Sequence, residues 1–322
     1  MRRASPLLLP LLCGAVLLLG GQRGRAEPGP LPAFTYRGIV LEGRTLRFAP
    51  KGRLERPALI QVEGLLANPL GRYYLYYSAH HHAGIGLAYA DSLDGPWQEY
   101  PGNPLIPDVA IPDVLWIGDS GSLHLWAHGS NSHTDLWTSR DGLNFERHST
   151  SIQASTVNTR NATYTRTYEH PLRRFGSRYI MLYSGWSEAR GLRAIWLAHS
   201  SDAEQWTQHP EPLVEPAPDE TRNIYDPALL QLHGRTFIVY QDQSDHRGGA
   251  IRYVEIDPEL HPIGSGGERF LLLDPDPAPP ISGRFRGSTF HRHGDRIHLI
   301  TGAASRPGII VDATADAEPA PP

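Results

Sequence analysis

The chain has 322 residues and a formal charge of −4, from 30 basic and 34 acidic side chains. Hydrophobic residues make up 40% and aromatic residues 9%, which excludes a disordered chain, and the 20% of charged residues is too few for a coiled coil. Because there is no basic excess, we expect no nucleic-acid partner.

The first 26 residues have the pattern of a secretory signal peptide. Arg2 and Arg3 precede the apolar run LLLPLLCGAVLLLGG, and Gly24 and Ala26 form a small-x-small cleavage site. The apolar run is interrupted by Pro10 and is too short to predict a membrane span. We therefore expect an exported protein, periplasmic or secreted, with no membrane span after cleavage.

A repeat then runs along the chain. A short apolar segment is followed each time by a glycine and a second apolar run, and its copies begin 55 to 61 residues apart, at Pro57, Pro112, Pro171, Pro227 and Ser288. Short runs rich in Tyr, Val, Ile and Trp, separated by turn residues, are typical of strands joined by hairpins. Four strands per repeat predict an all-β fold, a five-bladed β-propeller of four-stranded antiparallel blades. A β-sandwich is the alternative architecture.

The segments on either side of the repeats complete the expected domain organisation. Residues 27–54 should supply a closing strand for the last blade, and the Pro- and Ala-rich residues 313–322 should form a disordered tail. The predicted organisation is a signal peptide over 1–26, one propeller domain over 27–312 and the tail over 313–322.

The first strand of each propeller blade lines the central channel, so the residues just before each repeat should meet at one end of it. These pairs are Glu55–Arg56, Ala110–Ile111, Glu169–His170, Tyr225–Asp226 and Arg286–Gly287. Charged side chains stand in four of the five pairs, and such convergence is what a site for a polar ligand needs.

The chain after the leader resembles the five-bladed furanosidase-type glycosidases, the superfamily that holds glycoside hydrolase families 43, 32 and 117. YDPALLQLHGRTFIVY, with Asp226, is similar to their Asp-Pro strand, and TYEHPLRR, with Glu169, is similar to their Glu strand. SLDGPW and SRDGLNF resemble the turn before their outer strands. The resemblance implies a carbohydrate substrate, Glu169 as general acid, and Asp226 as the residue that orients substrate and tunes the acid. The chain departs from the family in the first blade, where Arg56 replaces an acidic base and Glu55 lies beside it.

Carboxyl catalysis makes a glycoside hydrolase the first functional hypothesis. Glycoside hydrolysis needs one protonated carboxyl and one carboxylate. Burial and the neighbouring Asp226 would raise the pKa of Glu169, and Asp113 or Glu55 would be the base. The competing interpretation is that Glu169 and Asp226 pair with arginines of the first strands and close the channel.

The histidines suggest a second chemistry. His80 and His82 end the second strand of blade 1 on one face, and His128 occupies the matching place in blade 2. Histidines at the pocket rim can act as bases near neutral pH. A polysaccharide lyase acting on uronate-containing glycans needs such a base and a cation for the substrate carboxylate. The corresponding set here is His82, His128, Tyr225, Arg56 and Arg286. The alternative is that the histidines bind substrate hydroxyls or are solvated.

One aromatic residue falls outside the repeat. Trp186, in SGWSEARG, is expected either to stack on a sugar ring or to pack in the fold. We expect no metal or cofactor, because the adjacent histidines lack the spacing of a zinc helix and no cysteine follows the leader. A non-catalytic sugar-binding propeller is the third functional hypothesis. The sugar, the linkage and the oligomeric state stay open.

Overall fold

The computed structural model describes residues 31–32, 34–48, 54–79, 84–154, 161–218, 220–243, 250–263, 270–273, 285–303 and 309–317. These ranges contain twenty strands and two short 3-10 turns, Gly43–Thr45 and Arg173–Phe175. No helix within these ranges has the length and apolar character to cross a membrane. The expected signal peptide lies outside the described residues.

Sixteen of the strands form four blades in chain order, each an antiparallel four-stranded sheet. Blade 1 contains β2 (Leu54–Gln61), β3 (Tyr73–Ala79), β4 (Gly84–Ala90) and β5 (Gln98–Glu99). Blade 2 contains β6 (Ala110–Ile117), β7 (Ser122–Ser130), β8 (His133–Ser139) and β9 (Glu146–Gln153). Blade 3 contains β10 (Ala162–Leu172), β11 (Ser177–Ser187), β12 (Leu192–Ser200) and β13 (Thr207–Gln208). Blade 4 contains β14 (Ile224–Leu232), β15 (Arg235–Asp242), β16 (Ala250–Ile256) and β17 (Phe270–Leu273).

Blade 5 joins the two ends of the described chain. It contains β18 (Phe285–His293), β19 (Arg296–Ala303), β20 (Ile309–Asp316) and, as its outer strand, β1 (Thr35–Glu42). The expected five-bladed propeller and its closing N-terminal strand are therefore confirmed. β20 continues past residue 312, so the tail does not begin at residue 313 as expected, because residues 313–314 pair with β1 and residues 313–316 pair with β19.

The second strand of each blade explains why the blades pack face to face. All seven residues of β3 are buried. Tyr74 and Tyr76 pack with residues of blade 2 such as Leu123, whereas Leu75 and Tyr77 pack with the other neighbour, blade 5. Successive side chains of a strand point to opposite faces, so a strand covered on both faces is an uninterrupted apolar run. These runs are the repeat seen in the sequence.

Each inner strand carries an irregularity at the same position, where one residue has a positive φ. The five residues are Arg56, Ile111, Tyr164, Asp226 and Gly287. In four blades this residue precedes the repeat start that the sequence predicted, but in blade 3 it is Tyr164 and not His170. The expected alignment of blade 3 is therefore wrong, because Pro171 lies near the end of β10 and has no equivalent in the other inner strands.

Candidate functional site

A buried arginine connects two carboxylates at the starts of the inner strands. Arg56 Nε donates to Asp226 Oδ1 at 2.7 Å, and Arg56 Nη1 donates to Glu55 Oε2 at 2.5 Å. The Arg56 side chain is only 1% exposed. Burial acts to lower the pKa of Arg56, but Asp226 and Glu55 outweigh it and raise the pKa. Arg56 is therefore a fixed cation that links blade 1 to the non-adjacent blade 4.

Gly287 of blade 5 completes this contact. Its N–H donates to Asp226 Oδ2 at 3.1 Å, so both carboxylate oxygens of Asp226 accept hydrogen bonds. The φ of Gly287 is 66°, and a Cβ at this position would lie 2.7 Å from Cα of Arg56. Only glycine combines this backbone conformation with so close an approach. The local sequence of blade 5 thus makes room for the arginine of blade 1.

Tyrosines and a second arginine surround the Arg56 cluster. Arg286 Nη1 donates to the Tyr225 hydroxyl at 2.8 Å, and Arg286 Nε lies 3.8 Å from Glu55 Oε1. Burial raises the pKa of Tyr225 to about 12, although Arg286 acts to lower it. The Tyr164 ring lies 5.8 Å from the Tyr225 ring and 4.6 Å from the guanidinium carbon of Arg56. The expected binding residues Arg56, Tyr225 and Arg286 therefore come together with Asp226.

His128 borders this cluster from blade 2. Its ring lies 5.7 Å from the ring of Tyr164, and its side chain is buried. Burial, together with the charge of Arg56, lowers the pKa of His128 to about 3, so the imidazole is neutral at neutral pH. The other two histidines proposed from the sequence, His80 and His82, lie outside the described residues.

Arg193 and Trp186 belong to blade 3. The two residues are register partners on β12 and β11, close to the start of β10. The guanidinium carbon of Arg193 lies 5.0 Å from the centroid of the Tyr164 ring. Trp186, predicted from the sequence, is therefore the strand partner of a residue that contacts the central cluster. The sequence did not predict Tyr164 or Arg193 as site residues. Tyr164 was missed because the repeat in blade 3 was aligned on Pro171.

Arg166 forms the floor beneath this cluster. Its guanidinium donates to the carbonyl oxygens of Pro57 and Pro112 at 2.9 Å and of Ser288 at 3.2 Å, which belong to blades 1, 2 and 5. Beside it, Asp113 Oδ2 accepts from the Thr167 N–H at 2.6 Å. Asp113 is buried and lies 3.9 Å from Arg166 Nη1. Asp113, one of the expected catalytic residues, therefore belongs to the floor of the channel.

Glu169 is not part of the cluster. Five residues after Tyr164 on β10, its side chain is 54% exposed and accepts a hydrogen bond from Arg178 Nε at 2.9 Å. The burial expected of this carboxyl is therefore not found. Glu169 instead lines a separate cavity of about 260 Å³ together with Arg292 and Gln231. Of the two carboxyls that were expected to pair with first-strand arginines and close the channel, Asp226 does so, since it pairs with Arg56.

The described part of the chain contains no group of three or more His, Cys, Asp or Glu side chains arranged to hold a metal ion. The central cluster consists instead of charged and aromatic side chains. It combines carboxyl groups paired with arginines and tyrosine rings at one end of the channel.

Comparison with known proteins shows the fold. No family model and no curated protein sequence matches the chain. Among solved structures, a thermostable family-43 glycoside hydrolase has a TM-score of 0.56 and 18% identity, covering 66% of this chain and 71% of its own. Another glycoside hydrolase has a TM-score of 0.61 and 12% identity, covering 90% and 92%. A family-32 β-fructofuranosidase from Bombyx mori has a TM-score of 0.57 and 14% identity, covering 88% and 61%. The resemblance to five-bladed glycoside hydrolase propellers is thus confirmed at the level of fold.

Proposed function

We propose that this protein is an exported carbohydrate-active enzyme that hydrolyses glycosidic bonds at the central cluster. The observation that carries the proposal is the convergence of Glu55 and Asp226 on Arg56 from two non-adjacent blades. Hydrolysis of a glycoside needs a carboxyl group that donates a proton and a carboxylate that activates water or attacks carbon. The fold shared with glycoside hydrolases agrees with this chemistry.

The two carboxyls take different roles in this proposal. Asp226 accepts hydrogen bonds on both oxygens, from Arg56 and from the Gly287 N–H, which hold it in position as the group that activates water or attacks carbon. Glu55 is assigned as the proton donor because it is the other carboxyl group that contacts Arg56, and Asp226 is already held by Arg56 and by the Gly287 N–H. Tyr225 and Trp186 then supply apolar faces for a sugar ring.

The test is the release of reducing ends from a panel of oligo- and polysaccharides. We expect Glu55→Gln and Asp226→Asn to lower turnover roughly 10²- to 10⁴-fold, the usual contribution of general acid–base catalysis. Asp119→Asn is the matched control, because Asp119 is 78% exposed and pairs with Arg178 away from the cluster. Thermal melting of each variant separates loss of chemistry from loss of folding.

Glu169→Gln tests the assignment that the family resemblance implied. The exposed position of Glu169 predicts nearly unchanged turnover. If Glu169→Gln abolished turnover while Glu55→Gln did not, the proton donor would be Glu169 and our assignment would be wrong.

A second candidate reaction is elimination, favoured by the hydrogen bond from Arg286 to the Tyr225 hydroxyl. In a uronate unit, the neutral imidazole of His128 would accept the proton at C5, and the bond from C4 to the leaving oxygen would break. The Tyr225 phenol would protonate that oxygen, and a C4=C5 double bond would form. Such products absorb in the ultraviolet, whereas hydrolysis produces reducing ends without this absorbance.

A further inference from the structure

The central cluster carries more positive than negative charge. Among the described residues it contains the three arginines Arg56, Arg193 and Arg286 but only two carboxyl groups, those of Glu55 and Asp226. Arg56 contacts both carboxylates, and Arg286 lies 3.8 Å from Glu55. Arg193 is the third of these arginines, and its contacts with described residues are with neutral groups.

Those contacts fix the position of Arg193 without neutralising it. Arg193 Nη2 donates to Oδ1 of the buried Asn161 at 2.6 Å, and its main-chain N–H donates to Asn223 Oδ1 at 2.9 Å. The guanidinium carbon lies 5.0 Å from the centroid of the Tyr164 ring. A guanidinium has five N–H donors, and the hydrogen bond to Asn161 is the one that the Arg193 guanidinium makes with the described residues, which leaves the other donors for a ligand.

The same aromatic ring is close to a second cation. The guanidinium carbon of Arg56 lies 4.6 Å from the centroid of the Tyr164 ring. The Arg56 side chain is buried. Arg56 is already paired with Glu55 and Asp226, so Arg193 is the cation at this ring whose charge a ligand would balance. A carboxylate bound at Arg193 would form the two parallel hydrogen bonds that a guanidinium makes with such a group.

We propose that Arg193, Asn161 and Tyr164 form a subsite for the carboxylate of a sugar acid, so that the substrate is a uronate-containing glycan. This inference rests on the proposed carbohydrate function and names its substrate class. It holds whether the bond is cleaved by hydrolysis or by elimination. Arg193 is thus the specificity-determining residue, since it contacts the substituent that separates acidic from neutral sugars.

The experiment measures binding separately from turnover. Isothermal titration is carried out with tetramers of galacturonate, glucuronate and mannuronate, and with their carboxyl-reduced counterparts. We expect at least one acidic tetramer to bind at least tenfold more tightly than its reduced form. Arg193→Gln should weaken the acidic ligand roughly ten- to hundredfold and leave the reduced ligand unchanged.

Two further variants are matched to Arg193→Gln. Arg178→Gln makes the same chemical change at an exposed arginine, 41% exposed and paired with Glu169, and should keep the wild-type preference. Arg193→Lys keeps the charge but loses the planar pair of donors, and should recover only part of the affinity.

The outcomes separate this inference from the proposed function. Equal affinity for acidic and reduced tetramers, with turnover of either, would overturn the carboxylate subsite and leave the carbohydrate function intact. Binding of a sulfated neutral tetramer that depends on Arg193 as strongly as uronate binding would also overturn the assignment to a carboxylate. Failure of every glycan to bind would overturn the proposed function as well.

Discussion

Asp113 is the carboxyl whose protonation the fold alters most clearly. Burial raises its pKa to about 6 from 3.8, against the opposing effects of Arg166 and the hydrogen bond from Thr167. The folded protein therefore binds this proton more tightly than the unfolded chain does. The contribution of Asp113 to the free energy of unfolding consequently decreases as pH rises from about 4 to about 6.

Asp113→Asn should remove this pH dependence. One unit of difference in pKa corresponds to about 1.4 kcal/mol, and most of this roughly two-unit difference is expressed above pH 4, so the stability of the variant relative to wild type should increase by about 2 kcal/mol between pH 4 and pH 7. Urea denaturation at the two pH values measures the change. Asp119→Asn, at an exposed position, is the control and should show no such trend. A constant difference between Asp113→Asn and wild type would contradict the prediction.

Residue chemistry alone predicted several members of the cluster but not their partners. Arg56, Asp226, Tyr225 and Arg286 were identified because charged and aromatic side chains preceded the repeat starts. Their actual contacts join positions as far apart as 170 residues, as between Arg56 and Asp226, and depend on how the five inner strands converge. No local pattern specifies which carboxylate an arginine reaches across a channel.

At the scale of the strand, the inner strands are held together by a side chain as well as by blade packing. Arg166, on β10, contacts the carbonyl oxygens of Pro57, Pro112 and Ser288, each at the position just after the positive-φ residue of its own strand. These carbonyls point toward the channel because the strands are irregular there. One guanidinium thus satisfies backbone acceptors from three other blades.

Arg166→Met should therefore destabilise the whole propeller. The substitution leaves several buried carbonyl oxygens without their donor and leaves Asp113 without its nearby cation. Removing one partner of a buried charged contact typically costs about 3–5 kcal/mol. Chemical denaturation measures the loss, and Arg178→Met, at an exposed arginine, is the matched control with an expected change below about 0.5 kcal/mol. A loss from Arg166→Met as small as that of the control would show that the floor contacts contribute little.

Blade 3 shows where strand-level prediction from a repeat fails. Its inner strand has Thr165 where three other strands have a proline, and it has Pro171 six residues later. Alignment of the repeats on proline therefore shifts the inner strand of blade 3 by six residues and wrongly places Glu169 at the end of the channel. The positive-φ residue, which depends on the backbone and not on one residue type, gives the correct alignment at Tyr164.

At the scale of the whole molecule, the repeat length was enough to predict the architecture. Equal spacing implies equivalent blades, and a ring of blades needs one strand that joins the two ends of the chain, which is why residues 27–54 were expected to pair with the last blade. Sequence could not predict the net charge of the site, because that depends on which arginines lie within reach of a carboxylate. Arg193 illustrates this, since its neutral partner Asn161 lies immediately before another strand, β10.

Closure by β1 leads to a prediction about the intact ring. Without β1, the backbone groups of β20 from Ile309 to Thr314 lose their partners, and Leu41 no longer packs with Ile310. An unpaired strand edge of this kind promotes association with other chains. We expect a chain that begins at residue 43 to melt at least about 4 °C lower than one that begins at residue 33, and to aggregate, because loss of the buried Leu41 alone removes about 2 kcal/mol. Differential scanning fluorimetry and size-exclusion chromatography compare the two chains.

Adding a peptide of residues 33–48 in excess should restore part of the melting temperature, since it supplies the missing strand. Identical melting of both chains would mean that the other three strands of blade 5 close the propeller without β1.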